Sequence, residues 1–166
     1  MGDLSQLNTE RKNDLVSSIN EINSSVLMAY LTDGFTINNT SRKIPLNNYY
    51  KIGNKLEFEN NAIKIVGDDV SFIEASVAVN GQASSTLNNV QLLAMVYKNN
   101  TQIVTGYDFK QVLNTYYFAN AVIGKVLIPV VKNDVISLYT QVSENQTLQI
   151  VNEFKFGTAY LTVKTI

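Results

Sequence analysis

Apolar residues recur at steps of four, three, four and three near the start of the chain, at Leu15, Ile19, Ile22, Val26 and Ala29. Those steps trace one seam of an α-helical heptad. Asn8 or Thr9 can cap the helix and Glu10 suits its first turn. No Gly or Pro interrupts the run before Leu31, and Asp33-Gly34 supplies a stop. The expected helix has about 22 residues and is roughly 33 Å long. Its stripe is narrow and flanked mostly by Ser, Asn and Glu, which suits a coiled coil between identical copies. Ile at both seam positions favours three or more strands over two. Leu27, Met28 and Tyr30 widen the apolar surface at the C-terminal end, so a helix folded back over a sheet edge is the open alternative.

From Phe35 onward the period shortens. "FTIN", "YYKI", "LEFE" and "AIKIV" are short β-like segments, with reversals expected at Gly53-Asn54 and Asn60-Asn61. In "DDVSFIEASVAVNG", Ile73, Ala75, Val77 and Val79 face one way while Phe72, Glu74, Ser76 and Ala78 face the other. "VQLLAMVYKNNTQIV" reads as two strands around an Asn-Asn turn. Lys132-Asn133-Asp134 joins two further strands, and Pro129 marks an edge, a bulge or a strand end. On the second of these, Ile136, Leu138, Thr140 and Val142 share a face. "TAYLTVKTI" forms a last strand, expected to be central because an edge strand at a terminus would fray. About eight to ten short strands with this turn spacing predict a mainly β sandwich or barrel. Several strands are apolar on both faces, more than one core needs, so the second face can pack against other copies. The expected division is a helical stalk segment over 1–33 and a β head over 34–166.

Composition narrows the chemistry. The 166 residues contain neither Cys nor His, which removes disulfides, thiol nucleophiles, thiolate metal sites and the commonest neutral-pH general base. Charged residues make up 16% and the net charge is -1, with no basic run to neutralise a nucleic-acid backbone. No 18-residue apolar stretch exists, so no membrane-spanning helix is expected. The polar opening "MGDLSQLNTE" does not read as a secretory signal, and Gln6 stands where a myristoylation signal needs Ser or Thr.

Ser84-Ser85 lack a nucleophile elbow and read as a polar loop. Asp68-Asp69 lack further acidic groups at a defined spacing and read as a turn, while Glu57 and Glu59 read as a solvated face. No catalytic residue, metal ligand or cofactor is therefore assigned. Tyr49, Tyr50, Tyr116 and Tyr117 are the aromatics of interest, since flat rings beside Asn and Gln suit either a saccharide or a subunit interface.

Several segments carry a resemblance: "VSFIEASVAVNG", "VYKNN", "GKVLIPVVKNDVISLYTQ" and the closing "AYLTVKTI". Together they resemble the trimeric jelly-roll head of C1q and tumour necrosis factor proteins, in the version found on bacteriophage tail fibres and baseplate receptor-binding proteins. The opening "LSQLNTERKNDLVSSINEINSS" is similar to a helical linker of Gram-positive phage tail and baseplate proteins. The resemblance implies a jelly-roll head on a coiled-coil stalk, assembled as a homotrimer at the virion tail tip and exposed to the medium. It implies recognition of host cell-wall saccharide and attachment to upstream tail or baseplate proteins, with no enzymatic step. A purely structural trimerisation or decoration role, a wall-polysaccharide depolymerase and a collagen-associated spore protein are the competing readings. The Gly-x-y stalk common in C1q proteins is absent from these residues.

Overall fold

The structure, a computed structural model, describes residues 24–83, 90–110, 117–143, 148–150 and 159–166. In chain order the strands are β1 (Val26–Tyr30), β2 (Phe35–Ile37), β3 (Arg42–Lys43), β4 (Asn48–Ile52), β5 (Leu56–Glu59), β6 (Ala62–Ile65) and β7 (Phe72–Ala83). They continue with β8 (Val90–Lys98), β9 (Thr101–Lys110), β10 (Tyr117–Pro129), β11 (Val135–Val142), β12 (Leu148–Ile150) and β13 (Ala159–Thr165). One seven-stranded sheet runs β2-β12-β7-β13-β1-β4, with β10 also paired to β7. The six-stranded sheet runs β5-β6-β11-β8-β9, with β3 also paired to β11. After β7 the chain crosses to β8 and β9, returns to β10, crosses again to β11 and returns to β12 and β13. These crossings make the sandwich a jelly roll.

Period-two alternation builds the core. Ile73, Ala75, Val77 and Val79 of β7 are fully buried, as are Ala159, Leu161 and Val163 of β13. From the opposite sheet, Leu92, Ala94 and Val96 of β8 meet them with Ile136, Leu138 and Val142 of β11. Thr140 shares that buried face, and its hydroxyl donates to the Leu93 carbonyl at 2.8 Å. β13 lies between β7 and β1, so the last strand is central, as expected.

Asparagine sets two tight hairpins. Asn60 and Asn61 have φ of 50° and 59°, and Asn99 and Asn100 have 49° and 67°. Each pair forms a two-residue loop, with Glu59 facing Ala62 and Lys98 facing Thr101. Both central residues of such a loop need positive φ, which Asn tolerates better than most L residues. Gly53, at φ 81°, turns the chain between β4 and β5. Pro129 is the last residue of β10, where its missing N–H costs no interior ladder bond.

The sandwich is closed along one side by a close approach at Gly106. A Cβ there would lie 2.5 Å from the Val122 carbonyl oxygen and 2.7 Å from Ile123 Cγ1. Only glycine lets β9 at the edge of one sheet come this near β10 of the other.

The expected helical stalk needs correction at its C-terminal end. Val26 and Ala29 lie in β1, a strand paired with β13 on one side and β4 on the other. Their spacing of three puts them on one face of a helix but on opposite faces of a strand. Ala29 is fully buried with Leu27, whereas Val26 turns outward with Met28 and Tyr30. Two complete ladders and two core positions outweigh the helical pattern of a five-residue segment. The β head therefore includes residues from Ser24, not from 34. Ser25 fixes this entry: its N–H donates to Thr165 Oγ1 at 2.7 Å, and Thr165 N–H donates to the Ser25 carbonyl at 2.8 Å. Leu15, Ile19 and Ile22 lie outside the described residues.

Candidate functional site

The outer face of the seven-stranded sheet is the first candidate surface. Asn48, Tyr30, Tyr160, Ala78 and Val122 are successive cross-strand partners across β4, β1, β13, β7 and β10. A parallel row holds Tyr50, Met28, Thr162 and Ser76. A third row holds Ile52, Val26, Lys164, Glu74 and Leu127. Several apolar groups remain open to solvent: Tyr50 is 62% exposed, Ile52 57%, Leu127 59% and Val122 48%. Phe72 and, on β9, Ile103 are also exposed. A sheet face of this kind, apolar through its middle and uncovered by other described residues, is the usual signature of an interaction surface.

The aromatic candidates do not form one cluster. Tyr49 and Tyr50 are adjacent on β4 and so point to opposite faces. Tyr50 belongs to the outer face just described. Tyr49 turns toward the other sheet, where its ring lies 5.2 Å from that of Phe58 and closes the β4–β5 side of the sandwich. Tyr117 opens β10 opposite Ala83, across the sheet from β4, and Tyr116 lies outside the described residues. Tyr117 is thus separated from Tyr49 and Tyr50 by three intervening strands, and period-two alternation alone already places Tyr49 and Tyr50 apart.

The carboxylates pair with lysines, some at turns and one between strands. Asp68 pairs with Lys132 at 2.8 Å and Asp69 with Lys55 at 2.5 Å. The hydrogen bond from Lys55 holds the Asp69 carboxyl below the usual carboxylate range. Glu59 pairs with Lys64 at 3.4 Å, and Glu74 with Lys125 at 3.1 Å. Among the described residues no group of three or more acidic side chains is placed to hold a metal ion. Ser84-Ser85 lie outside the described residues.

A feature not read from the sequence lies on the outer face of the six-stranded sheet. Tyr97 of β8 and Tyr139 of β11 stack there, with ring centroids 4.1 Å apart and planes 26° apart. Beside them opens a cleft of about 310 Å³. Its walls come from β3, the β5–β6 hairpin and the turn before β11, segments that only the sheet register brings together.

No protein-family profile matches the sequence, and no curated protein matches it either. Solved structures do match in fold. The chain is similar to murine APRIL in crystals at pH 5.0, with a TM-score of 0.56 and 8% identity over 86% of this chain and 99% of that one. The pH 8.0 and pH 8.5 crystals give TM-scores of 0.54 and 0.53, at 8% and 9% identity over the same shares. At this identity the likeness is one of fold. It agrees with the strand order in defining a jelly-roll sandwich of the C1q and tumour-necrosis-factor type.

Proposed function

We propose that the chain is the head of a non-enzymatic, homotrimeric receptor-binding protein of a phage tail or baseplate, which recognises saccharide on the host cell surface. The observation that carries this reading is the outer face of the seven-stranded sheet. Its half-buried Tyr30 and Tyr160 and its exposed Val122, flanked by exposed Tyr50 and Ile52, present apolar surface to solvent among the described residues. A second copy covers it if each protomer offers this face to one neighbour and its β9 edge, with exposed Ile103, to the other. A head-to-tail contact whose rotation is about 120° closes into a ring of three, the smallest closed ring of this type.

The segment before Ser24 supports the same arrangement. Leu15, Ile19 and Ile22 keep heptad spacing without Val26 and Ala29, and three copies would share one thin core. The likeness of this segment to a phage tail linker supports the assignment to a virion. In that setting the segment leads to upstream tail or baseplate proteins, and the head faces the medium. Three equivalent heads multiply a weak single-site affinity through avidity.

Screening the intact protein against an array of bacterial wall saccharides tests the role. Saturable binding to a subset of glycans is the expected result. A trimer that binds none of them, and no bacterial surface, would instead be a structural knob of the virion.

A further inference from the structure

The cleft on the outer face of the six-stranded sheet is lined by Lys43, Glu59, Asn60, Ala62, Lys64, Asn133 and Val135. Its charges are unequally satisfied. Lys64 pairs with Glu59, whose carboxylate also accepts from the Asn60 amide at 3.4 Å. Glu57 stands opposite Lys64 on the neighbouring strand and does not line the cleft. Lys43 differs: its ammonium donates to the Asn60 main-chain carbonyl at 2.6 Å, and no carboxylate among the described residues lies within ion-pair distance of it. Partial burial pulls its pKa below the usual lysine value. An ammonium with three donors, held in a cleft and partly stripped of water, favours an incoming anion.

The surroundings suit a sugar. Lys43 is the cross-strand partner of Tyr139, so the stacked Tyr97–Tyr139 pair borders the lysine. The Tyr97 hydroxyl donates to Gln102 Oε1 at 3.2 Å, and Gln102 Nε2 donates to Thr105 Oγ1 at 2.8 Å, which gives the rings a polar margin. Met95 and Ser137, the cross-strand partners of Tyr139 and Tyr97, are buried beside the rings. Asn60 and Asn133 also line the cleft and add side-chain amides to it. A volume of about 310 Å³ is at the small end for ligand sites and admits one sugar ring. This face is also the one left open if the opposite sheet is used between subunits.

We propose that this cleft binds a single sugar residue carrying an anionic substituent, a carboxylate or a phosphate, with Lys43 as the anchor for the charge. The inference rests on the receptor-binding reading and assigns its site. Lys64 holds Glu59 aside, Asn60 and Asn133 meet ring hydroxyls, and Ala62 and Val135 offer the apolar part of the lining to the ring.

The test is titration of the intact protein with glucuronic acid, glucose 6-phosphate, glucose and inorganic phosphate, followed by amide chemical-shift mapping. The two acidic sugars are expected to shift amides of β3, the β5–β6 hairpin and the 130–134 turn, with weaker effects from glucose or phosphate alone. Losing one partly screened charge pair in Lys43→Gln should weaken acidic-sugar binding about fivefold. Glu59→Gln, which removes the opposing charge, should tighten it. Added salt should weaken binding to the native protein. Phosphate binding as tightly as glucose 6-phosphate would overturn the sugar assignment. Equal affinity of Lys43→Gln and the native protein would overturn the site. If the protein still bound a wall glycan, with shifts falling on β4 or β10, the receptor reading would stand and this cleft would not be its site.

Discussion

Asn99 and Asp134 lock two turns together across the edge of the sandwich. Asn99 Nδ2 donates to Asp134 Oδ1 at 2.6 Å, and Asn99 Oδ1 accepts from the Val135 N–H at 2.9 Å. Asp134 Oδ2 accepts from the Val131 N–H at 2.9 Å, and Lys98 Nζ lies 3.6 Å away. One buried carboxylate thus joins the β8–β9 hairpin to the turn between β10 and β11. Asp134→Ala leaves the Asn99 amide and the Val131 N–H without their acceptor, a loss of about 2–4 kcal/mol. Denaturant unfolding at fixed protein concentration checks this. A change within about 0.5 kcal/mol, the range of neutral surface substitutions, would contradict it.

The same carboxylate gives stability an acid limb. Burial raises the Asp134 pKa, but hydrogen bonds from Val131 and Asn99 and the charge of Lys98 outweigh it and hold it below the ordinary value. The unfolded chain therefore takes up this proton first as pH falls. The contribution is complete above the unfolded aspartate value of about 3.9 and is lost as pH falls through the folded value. Asp69 shifts in the same direction through Lys55, but it is exposed and screened. Asp134→Asn is expected to flatten the loss of stability below about pH 4. An unchanged slope there would assign the acid limb to other groups.

Gly106 tests the closure of the sandwich. Any side chain there meets the Val122 carbonyl, a backbone atom that cannot rotate away. Gly106→Val should cost about 1–3 kcal/mol or more through overpacking, read as a lower denaturation midpoint. A neutral result would mean that β9 and β10 separate at no cost.

The proposed coiled-coil stalk rests on the heptad spacing of Leu15, Ile19 and Ile22 in the sequence. Ile19→Asp with Ile22→Asp should reduce the helical circular-dichroism signal and shorten the particle in solution, while the β signal persists. No change in either helicity or hydrodynamic size would remove the coiled-coil proposal.

Strands with strict alternation were legible before any coordinates. In β7, β11 and β13 the residues of the central hydrophobic cluster follow period two, and the Asn-Asn hairpins follow from the φ they require. β1 was not legible, because "VLMAY" satisfies helical steps with the residues before it and strand alternation within itself. Only pairing with β13 and β4, distant in sequence, decides between them. β3 is two residues long and exists because β11 offers it a ladder. The cleft was invisible for the same reason. Lys43, Asn60 and Asn133 converge through sheet register, and the Tyr97–Tyr139 stack joins strands with no local signal linking them.

Solution mass tests the central claim most directly. Light scattering on a size-exclusion column should give the intact protein three times the 18.5 kDa chain mass. Tyr50→Asp with Val122→Asp, both on exposed outer-face positions, should lower that mass while the β signal stays intact. A monomer of the native protein, or a trimer indifferent to both substitutions, would contradict assembly through the outer face of the seven-stranded sheet.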